Sequence, residues 1–438
     1  MKNIDKTQDD NYFLGIDLGT SGCRIAVINE QEQIIASAEH PLPPAKVLND
    51  GHRYQDPEIW WQACQNALYK IKQLIPLYQV RSIAVDATSG TVLATDQHGQ
   101  ALSNALMYND VASVREAQII AKYAPAHSAA QGASSALAKC LHLGNQLSRQ
   151  NDFCFVNQAD WLAGQFSKQF NVSDENNALK MGYDPIERQW PDWIMELDID
   201  LSHLPCVQVP GEIISTISKQ IAFRFGFNDN TQIVSGTTDS IAALIATGAH
   251  QKGEAVTSIG STLVLKLISE TPIFNADYGI YSHRLGNVWL VGGASNSGGS
   301  VIQHYFSPQQ IESMTHQLNP NQPTQLDYYP LAQIGERFPI NDATLTPKLS
   351  PRPASDVIFF QGILEGIANI EKLGYERLVE LGATAPRKIL TVGGGAINAP
   401  WTQMRAKILG VPVVKARCTD AAVGAAKLAK QGVAKSID

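Results

Sequence analysis

The 438-residue sequence has few cysteines, no excess of basic residues and no long apolar run. Its six cysteines are scattered, with no C-x-x-C pair and no Cys/His cluster, so we expect reduced, mostly buried thiols rather than disulfides or a zinc site. The formal net charge of −7 argues against a basic surface for nucleic acid or anionic lipid. Any polyanionic ligand must therefore be held by local N–H groups or by a metal ion.

Three further absences narrow the class of protein. No run of about 18 apolar residues occurs, so the sequence predicts no membrane span. The polar start, residues 1–11, does not resemble a signal peptide, and we expect a cytoplasmic protein. There is no G-x-x-x-x-G-K-[ST] loop and no G-x-G-x-x-G motif after a strand, which disfavours P-loop and dinucleotide-binding chemistry.

The amino-acid composition is that of a globular protein, and the predicted order of strands and helices occurs twice along the chain. The length is too great for one ordinary core and predicts two or three domains. Twice along the chain, apolar strands with a glycine turn are followed by alternating helices and strands, while residues 111–230 are predicted to be mostly helical. This order predicts an α/β protein with mainly parallel sheets covered by helices in two lobes. A polar segment at 251–254 places the boundary between lobes of residues 1–251 and 252–438.

Two short segments, residues 15–22 and 257–262, combine glycine with hydroxyl residues at a turn that follows an apolar strand. Glycine allows close approach and unusual backbone angles, so such turns free N–H groups to bind an anion. One turn of this kind is weak evidence. A pair, each near the start of its own lobe, predicts a nucleotide held between two lobes.

At this point the motifs resemble a known family. Residues 14–21 and 258–262 resemble the two phosphate segments of the FGGY carbohydrate kinases, and residues 390–404 resemble their adenosine segment. Residues 236–240, Gly-Thr-Thr-Asp-Ser, resemble the segment that supplies the catalytic aspartate. The resemblance implies an α/β fold of two actin-like (ribonuclease H-like) lobes with an ATP/sugar cleft between them, and it implies ATP and Mg²⁺ as cofactors.

The resemblance also implies roles for residues of the first lobe. Asp239 would be the general base, accepting the proton of the sugar hydroxyl and orienting its oxygen, although aspartate at this position also suits a helix N-terminus. Asp17 would bind Mg²⁺, directly or through water, beside the sugar. Ser89 and Asp110 would bind other sugar hydroxyls. The sugar-binding set is thus Asp17, Ser89, Asp110 and Asp239.

The nucleotide-binding residues would come from both lobes. Hydroxyl and backbone groups of the two turns would contact the phosphates, and glycines of the third segment would allow the backbone to approach the adenosine. Trp401 would wall or stack on the adenine, although an aromatic residue at a helix start is more often part of a core. The predicted set is Thr20, Ser21, Gly260, Ser261, Thr262, Gly394, Gly395, Asn398 and Trp401.

Within the family, residues 86–92, 107–110 and 176–184 most resemble the compact pentulose kinases, including D-ribulokinases. Typical xylulokinases have a Met-His pair where this chain has Thr88-Ser89-Gly90. The resemblance therefore favours transfer of phosphate from ATP to the C5 hydroxyl of D-ribulose. The alternatives are a kinase of the same fold acting on D-xylulose, glycerol or another polyol, and, from another class, a nucleotide-gated interaction protein related to actin. The Gly-Thr-Thr-Asp context of Asp239 favours the kinase.

Overall fold

A computed structural model describes residues 11–147 and 152–434 of the chain; the first ten residues of the predicted polar start lie outside this range. The strands of the described part are β1 (Tyr12–Leu18), β2 (Gly22–Ile28), β3 (Ile34–Pro41), β4 (Lys46–Val47), β5 (Arg53–Gln55), β6 (Val80–Ala87), β7 (Val92–Thr95), β8 (Ala105–Leu106), β9 (Cys154–Asn157), β10 (Val172–Asp174), β11 (Cys206–Gln208), β12 (Ile213–Thr216), β13 (Gln232–Val234), β14 (Thr237–Thr238), β15 (Glu254–Ile259), β16 (Leu263–Ser269), β17 (His283–Leu285), β18 (Val288–Ser295), β19 (Lys388–Val392) and β20 (Val413–Lys415).

The α-helices are α1 (Glu58–Leu74), α2 (Val114–Ile120), α3 (Ala136–Gln146), α4 (Gln158–Ser167), α5 (Glu175–Ala178), α6 (Lys219–Phe225), α7 (Asp239–Thr247), α8 (Gly299–Tyr305), α9 (Pro308–Thr315), α10 (Asp356–Glu380), α11 (Ala399–Leu409) and α12 (Ala421–Ala434).

The chain forms two compact units. Unit 1 runs to Ala246 and includes the segment from Cys418 onward, and unit 2 is Thr247–Arg417. The predicted division put this last segment in the second lobe, whereas helix α12 packs in unit 1.

The main sheet of unit 1 has seven strands, ordered β12-β13-β6-β1-β2-β3, with β14 also paired to β6. Strands β1, β2 and β3 form an antiparallel meander, while β6 runs parallel to β1. Helix α1 packs on one face with its apolar stripe, which includes Trp60, Leu68 and Ile71. The carboxyl ends of β1, β6 and β14 consequently lie at one edge of the sheet.

Helix α12 lies directly against strand β1, although the two are about 400 residues apart in sequence. A Cβ atom at Gly15 would lie 2.0 Å from the carbonyl oxygen of Ala422, so the close approach requires glycine in the strand. Gly424 of α12 packs as closely on helix α7, because a Cβ atom there would lie 1.8 Å from the carbonyl oxygen of Ala242. These contacts, together with the hydrogen bond from Ser82 Oγ to the carbonyl of Ala429, hold helix α12 in unit 1.

The rest of unit 1 departs from the expected pattern. Residues 111–230 were predicted to be mostly helical, and α2, α3, α4 and α6 lie there, but so do strands β9 to β12. Strand β9 closes a five-stranded sheet, ordered β4-β5-β8-β7-β9, and β10 pairs with β11. These strands have three or four residues, too few to show the alternation that identifies a strand in sequence.

Unit 2 is built on a six-stranded sheet, ordered β17-β18-β16-β15-β19-β20. Strands β15 and β19 are parallel neighbours, while β15, β16 and β18 are antiparallel. The long helix α10 and helix α11 pack on each other, and their buried side chains join one apolar core with the sheet. The prediction of an α/β fold with two sheet-containing units is confirmed. Among the described helices, none combines the length and hydropathy needed to cross a membrane.

Candidate active site

Asp17 lies near the carboxyl end of strand β1 and is 5% exposed. Its Oδ2 accepts a hydrogen bond from Arg24 Nη1 at 3.0 Å, and Arg24 is its register partner on β2. Burial raises the pKa of the Asp17 carboxyl, and the hydrogen bond and charge of Arg24 oppose the rise. The carboxyl group therefore keeps one partner within unit 1 while lying at the edge where ligands bind in sheets of this kind.

Asp86, near the end of the neighbouring parallel strand β6, is a site residue that sequence reasoning missed. It is the register partner of Asp17 and is fully buried. Among the described residues, no N–H or hydroxyl group donates to either of its oxygens. Burial, followed by the charges of Asp17 and Asp239, raises its pKa well above the usual value. The available signal was a second apolar strand that ends in aspartate.

Asp239 is the first residue of helix α7 and directly follows β14, which pairs with the end of β6 through Thr237 and Asp86. Its Oδ1 accepts a 2.6 Å hydrogen bond from the backbone N–H of Ser240. The three carboxylates of Asp17, Asp86 and Asp239 thus share one edge of the unit 1 sheet. Thr237 Oγ1, beside them, accepts a hydrogen bond from Asn176 Nδ2 at 3.1 Å.

Thr20 and Ser21 form the exposed tip of the β1–β2 hairpin. The turn is closed by the N–H of Gly19, which donates to the carbonyl of Gly22 at 3.0 Å. The carbonyl of Ser21 accepts from the N–H of Leu42 at 2.8 Å, which holds the outer end of the turn. The turn predicted from residues 15–22 is therefore present, with both hydroxyl side chains accessible to a ligand.

Ser89 lies in the turn after β6, and its buried Oγ has no hydrogen-bond partner among the described residues. The neighbouring Thr88 Oγ1 donates to Gln158 Oε1 at 2.6 Å, and the Nε2 of Gln158 is likewise buried with no partner within residues 11–147 and 152–434. Lys139 holds this turn, because its Nζ donates to the carbonyl of Gly90 at 2.8 Å and to that of Ser134 at 3.0 Å. Buried polar atoms without partners are rare in native proteins and suggest a site for a hydrogen-bonding ligand.

Asp110 has a different environment from that predicted. It is fully buried, and His52 Nδ1 lies 3.1 Å from both of its carboxylate oxygens. The backbone N–H groups of Arg53 and Ala112 donate to the same carboxylate at 2.5 and 3.2 Å. Since these groups occupy the carboxylate, the geometry favours a structural role for Asp110, and sugar binding by this residue stays a prediction.

In unit 2, residues 260–262 form the turn between β15 and β16. The N–H of Gly299 donates to the carbonyl of Gly260 at 2.8 Å, and the N–H of Ser300 donates to that of Ser261 at 3.1 Å. The start of helix α8 is therefore joined to the turn. Gly260 and Ser261 are exposed, and Thr262 is partly buried.

The second turn and the predicted adenosine segment line one cavity of about 690 Å³ within unit 2. Six of the predicted nucleotide-binding residues lie in its wall, with apolar side chains of α9 and α10 such as Ile311 and Phe360 and polar ones such as Gln303. A mostly apolar cavity with a few polar groups is typical of a small-molecule site. Those six are Gly260, Ser261, Gly394, Gly395, Asn398 and Trp401.

Trp401 and Asn398 have structural partners in this wall. Trp401 is 2% exposed, and its ring N–H donates to the carbonyl of Leu364 at 2.9 Å, so it is mainly a core residue beneath the cavity. Asn398 Oδ1 accepts from the N–H of Trp401 at 2.9 Å and caps helix α11, while its Nδ2 donates to Thr315 Oγ1 at 3.2 Å. Stacking of Trp401 on a base is thereby limited to the small exposed part of its ring.

Two α/β units, one with carboxylates at a sheet edge and one with a cavity lined by glycine turns, fit the two-lobed α/β fold that the motifs predict. The model of the FGGY family of carbohydrate kinases, N-terminal domain, matches residues 12–246, and that of the C-terminal domain matches residues 255–431. The chain belongs to the FGGY family of carbohydrate kinases, and the resemblance predicted from its motifs is confirmed at that level.

The chain is similar to several proteins named as kinases along most of its length. It is 23% identical to the xylulose kinase of Escherichia coli (strain K12) over 444 residues, which cover 95% of this chain and 89% of the relative. Among solved structures, it matches a "xyloylose kinase" from Brucella ovis with a TM-score of 0.84 and 21% identity, covering 97% and 91% of the two chains. It also matches glycerol kinase from Plasmodium falciparum with ADP, with a TM-score of 0.82 and 18% identity, covering 97% and 90%. At these identities the structural matches establish the fold alone.

Proposed function

We propose that the protein transfers the γ-phosphoryl group of ATP to the terminal C5 hydroxyl of a ketopentose, with D-ribulose as the preferred substrate. The observation that carries this proposal is a group of buried polar atoms, at and beside the three carboxylates of unit 1, that have no hydrogen-bond partner in the described part of the chain. Asp86, Ser89 Oγ, Gln158 Nε2 and Thr238 Oγ1 all belong to it. A buried polar group without a partner costs about 1–3 kcal/mol, which a ligand rich in hydroxyl groups would offset.

In this reaction Asp239 receives the proton of the attacking hydroxyl. As the new O–P bond forms, the bond between the γ-phosphorus and the β-bridging oxygen breaks, and ADP leaves. Because the transition state is loose, the main contribution of Asp239 is to orient the attacking oxygen, and an ordinary carboxylate is sufficient. The position of Asp239 at a helix start, with its Oδ1 held by the N–H of Ser240, supports a fixed orientation of this carboxylate.

The nucleotide is assigned to the unit 2 cavity, and contact of its phosphates with Thr20 and Ser21 stays a prediction. Exposed Gly260 and Ser261 would contact phosphates through backbone and hydroxyl groups, and Gly394 and Gly395 would lie against the adenosine. Mg²⁺ would neutralise charge on the phosphates. Mg²⁺ is usually bound through one or two carboxylates, phosphate oxygens and water, so the single carboxylate of Asp17 fits this requirement without a larger ligand cluster.

The preference for D-ribulose rests on the turn at Thr88-Ser89-Gly90, which replaces the Met-His pair that typical xylulokinases have there. A small hydroxyl side chain with an unpartnered Oγ can bind a substrate hydroxyl, and a site built in this way rejects analogues that lack the matching group. D-Xylulose is the second candidate, because relatives such as that of E. coli are named xylulose kinases. A nucleotide-gated interaction protein would have no use for the buried polar group.

The test is an ADP-release assay with MgATP and a panel of D-ribulose, D-xylulose, their L-isomers, pentitols, gluconate and glycerol. We expect kcat/KM for D-ribulose to exceed that for D-xylulose by about tenfold or more, a difference of the size that one matched hydrogen bond supplies. Phosphorus–carbon coupling in the NMR spectrum of the product should place the phosphate on C5. A higher value for D-xylulose would refute the substrate preference alone, whereas ADP release independent of every sugar would refute the kinase.

A further inference from the structure

A buried ion pair connects helices α10 and α11 in unit 2. Arg405 Nε and Nη2 donate to Glu371 Oε2 and Oε1, both at 2.6 Å. The side chain of Glu371 is 0% exposed and that of Arg405 is 1% exposed. Sequence reasoning assigned no role to either residue, since charged residues on helices usually face solvent.

The same two side chains contact the two parallel strands at the centre of the sheet. Thr257 Oγ1, on β15, donates to Glu371 Oε1 at 2.5 Å and lies 2.8 Å from the hydroxyl of Tyr375. On β19, Thr391 Oγ1 accepts from Arg405 Nη1 at 2.7 Å. Thr257 and Thr391 are register partners, so the ion pair bridges one position of the β15–β19 pairing.

Both strands end in the turns of the cavity. Strand β15 ends at Ile259, two residues after Thr257, and Gly260 and Ser261 follow. Strand β19 ends at Val392, one residue after Thr391, and the glycines at 393–395 follow. The hydroxyl groups held by the ion pair thus lie within three residues of the predicted phosphate turn and adenosine turn.

Stability does not by itself explain such a pair. Burying two charges carries a desolvation cost, and well-packed apolar residues of similar volume are often as stable. What apolar residues cannot supply is a fixed geometry: the planar guanidinium of Arg405 holds a carboxylate and a hydroxyl in set directions. Ligand-binding groups must be held to within about 0.5 Å, which depends on the residues that support them.

We propose that Glu371 and Arg405 are positioning residues for the nucleotide, which fix the ends of β15 and β19 through Thr257 and Thr391. The inference rests on the proposed function, because it takes the unit 2 cavity to be the nucleotide site. The ion pair is therefore expected to affect the affinity for the nucleotide and to leave the affinity for the sugar unchanged.

The chain offers a matched control on the same two strands. Lys388 and Glu254 are also register partners of β19 and β15, at the opposite, amino-terminal ends. Lys388 Nζ donates to Glu254 Oε1 at 3.1 Å, and the Lys388 side chain is 44% exposed. A substitution at this pair removes a contact between the same two strands, but at the ends that are farthest from the turns of the cavity.

The experiment compares Thr257→Val, Thr391→Val and Lys388→Met with the full-length wild type. Valine keeps the shape and removes only the hydroxyl, so that the fold is kept more readily than after a change of Arg405 or Glu371. The measurements are the Kd of MgADP by calorimetry, the KM values of ATP and sugar, and the melting temperature. We expect each threonine variant to weaken MgADP binding about tenfold, as loss of a hydrogen bond to a charged group predicts. The sugar KM should stay unchanged, and Lys388→Met should bind MgADP as the wild type does.

Arg405→Lys adds a test of geometry, because lysine keeps the charge but not the planar fork. We expect it to weaken MgADP binding as the threonine variants do. Threonine variants that melt at a lower temperature yet bind MgADP as the wild type does would overturn the inference and leave the proposed function intact. A wild type that binds no MgADP or MgATP would refute the nucleotide site itself.

Discussion

Asp17 and Asp86 are register partners on neighbouring parallel strands, so two carboxyl groups lie side by side at the edge of the unit 1 sheet. Arg24 pairs with Asp17, whereas no N–H or hydroxyl donor of the described residues contacts Asp86. For both groups the pKa is raised, mainly by burial. Functional sites commonly retain such unfavourable groups, and their replacement tends to increase stability at the expense of activity.

Asp86→Asn is therefore expected to stabilise the protein at neutral and alkaline pH. In the unfolded chain Asp86 loses its proton near pH 4, but in the folded protein it keeps the proton to higher pH. Above about pH 4 Asp86 thus holds fewer protons in the unfolded state than in the folded one, so its own contribution to the free energy of unfolding falls as pH rises. Urea unfolding without nucleotide or metal should show a stability gain for Asp86→Asn that is larger at pH 8 than at pH 5.

Asp327→Asn, at a side chain 90% exposed, is the control for this measurement and should behave as the wild type does. An Asp86→Asn variant less stable than the wild type at pH 8 would contradict the account of Asp86 as an unfavourably buried group.

Asp239→Asn should keep nucleotide binding and lose turnover. The amide preserves the volume and an oxygen that can accept from the N–H of Ser240, but its NH2 group can neither accept a hydrogen bond from the attacking hydroxyl, which orients it, nor take up the proton. We expect kcat to fall about 10²–10⁴-fold, the usual effect of removing a general base. ADP release measures kcat, and calorimetry with MgADP measures binding. In Ser240→Ala the same backbone N–H remains, so near-normal turnover is expected there; near-normal turnover of Asp239→Asn would remove Asp239 from the proposed role.

Lys139→Met should weaken binding of the sugar and leave binding of the nucleotide unchanged. Lys139 Nζ holds the carbonyls of Gly90 and Ser134, and Gly90 adjoins Ser89. Without these bonds the turn is no longer fixed, and we expect the sugar KM to rise about tenfold while the ATP KM is unchanged. The control is Lys122→Met, at an exposed lysine. Equal increases in both KM values would indicate a general loss of structure instead.

The pH dependence of stability offers a second readout for Lys139. Burial lowers the pKa of its ammonium group to about 7, whereas the unfolded side chain holds its proton to about pH 10. Between these values the unfolded state binds more protons, so Lys139 makes the free energy of unfolding rise with pH. We expect the free energy of unfolding of Lys139→Met, relative to that of the wild type, to fall between pH 7 and pH 9.

The sequence was informative where the determinants are local. Strands β1, β2 and β3, the turns beside them, and helices such as α1 and α10 follow from apolar alternation and spacing within a few residues. The motifs also predicted that Gly260 and Gly395 bind the same nucleotide, because each lies in a recognisable glycine turn, and both residues line one cavity. Family membership followed from these short segments.

What the sequence could not supply are contacts between distant residues. The packing of α12 on β1 depends on Gly15 meeting Ala422, and nothing near either residue indicates the other. The burial of Asp110 and of Arg405 is likewise set by partners 57 and 34 residues away. Charged residues are expected at the surface, so only the structure identifies them as buried.

Substitutions at two neighbouring glycines, Gly394 and Gly395, can distinguish a packing role from direct contact with a ligand in the unit 2 cavity. A Cβ atom at Gly395 would lie 2.6 Å from Ile259 Cγ2 and 3.0 Å from Trp401 Cζ3, whereas a Cβ atom at Gly394 would have no atom of the described residues within 4 Å. Gly395→Ala should therefore lower the free energy of unfolding by about 1–3 kcal/mol, the usual cost of overpacking, and weaken MgADP binding as the wall shifts. Gly394→Ala should unfold as the wild type does, and any loss of MgADP affinity in it would then report direct contact with the nucleotide. Urea unfolding and calorimetry on both variants decide the matter, and equal stability of the two would contradict the packing of Gly395 against Ile259.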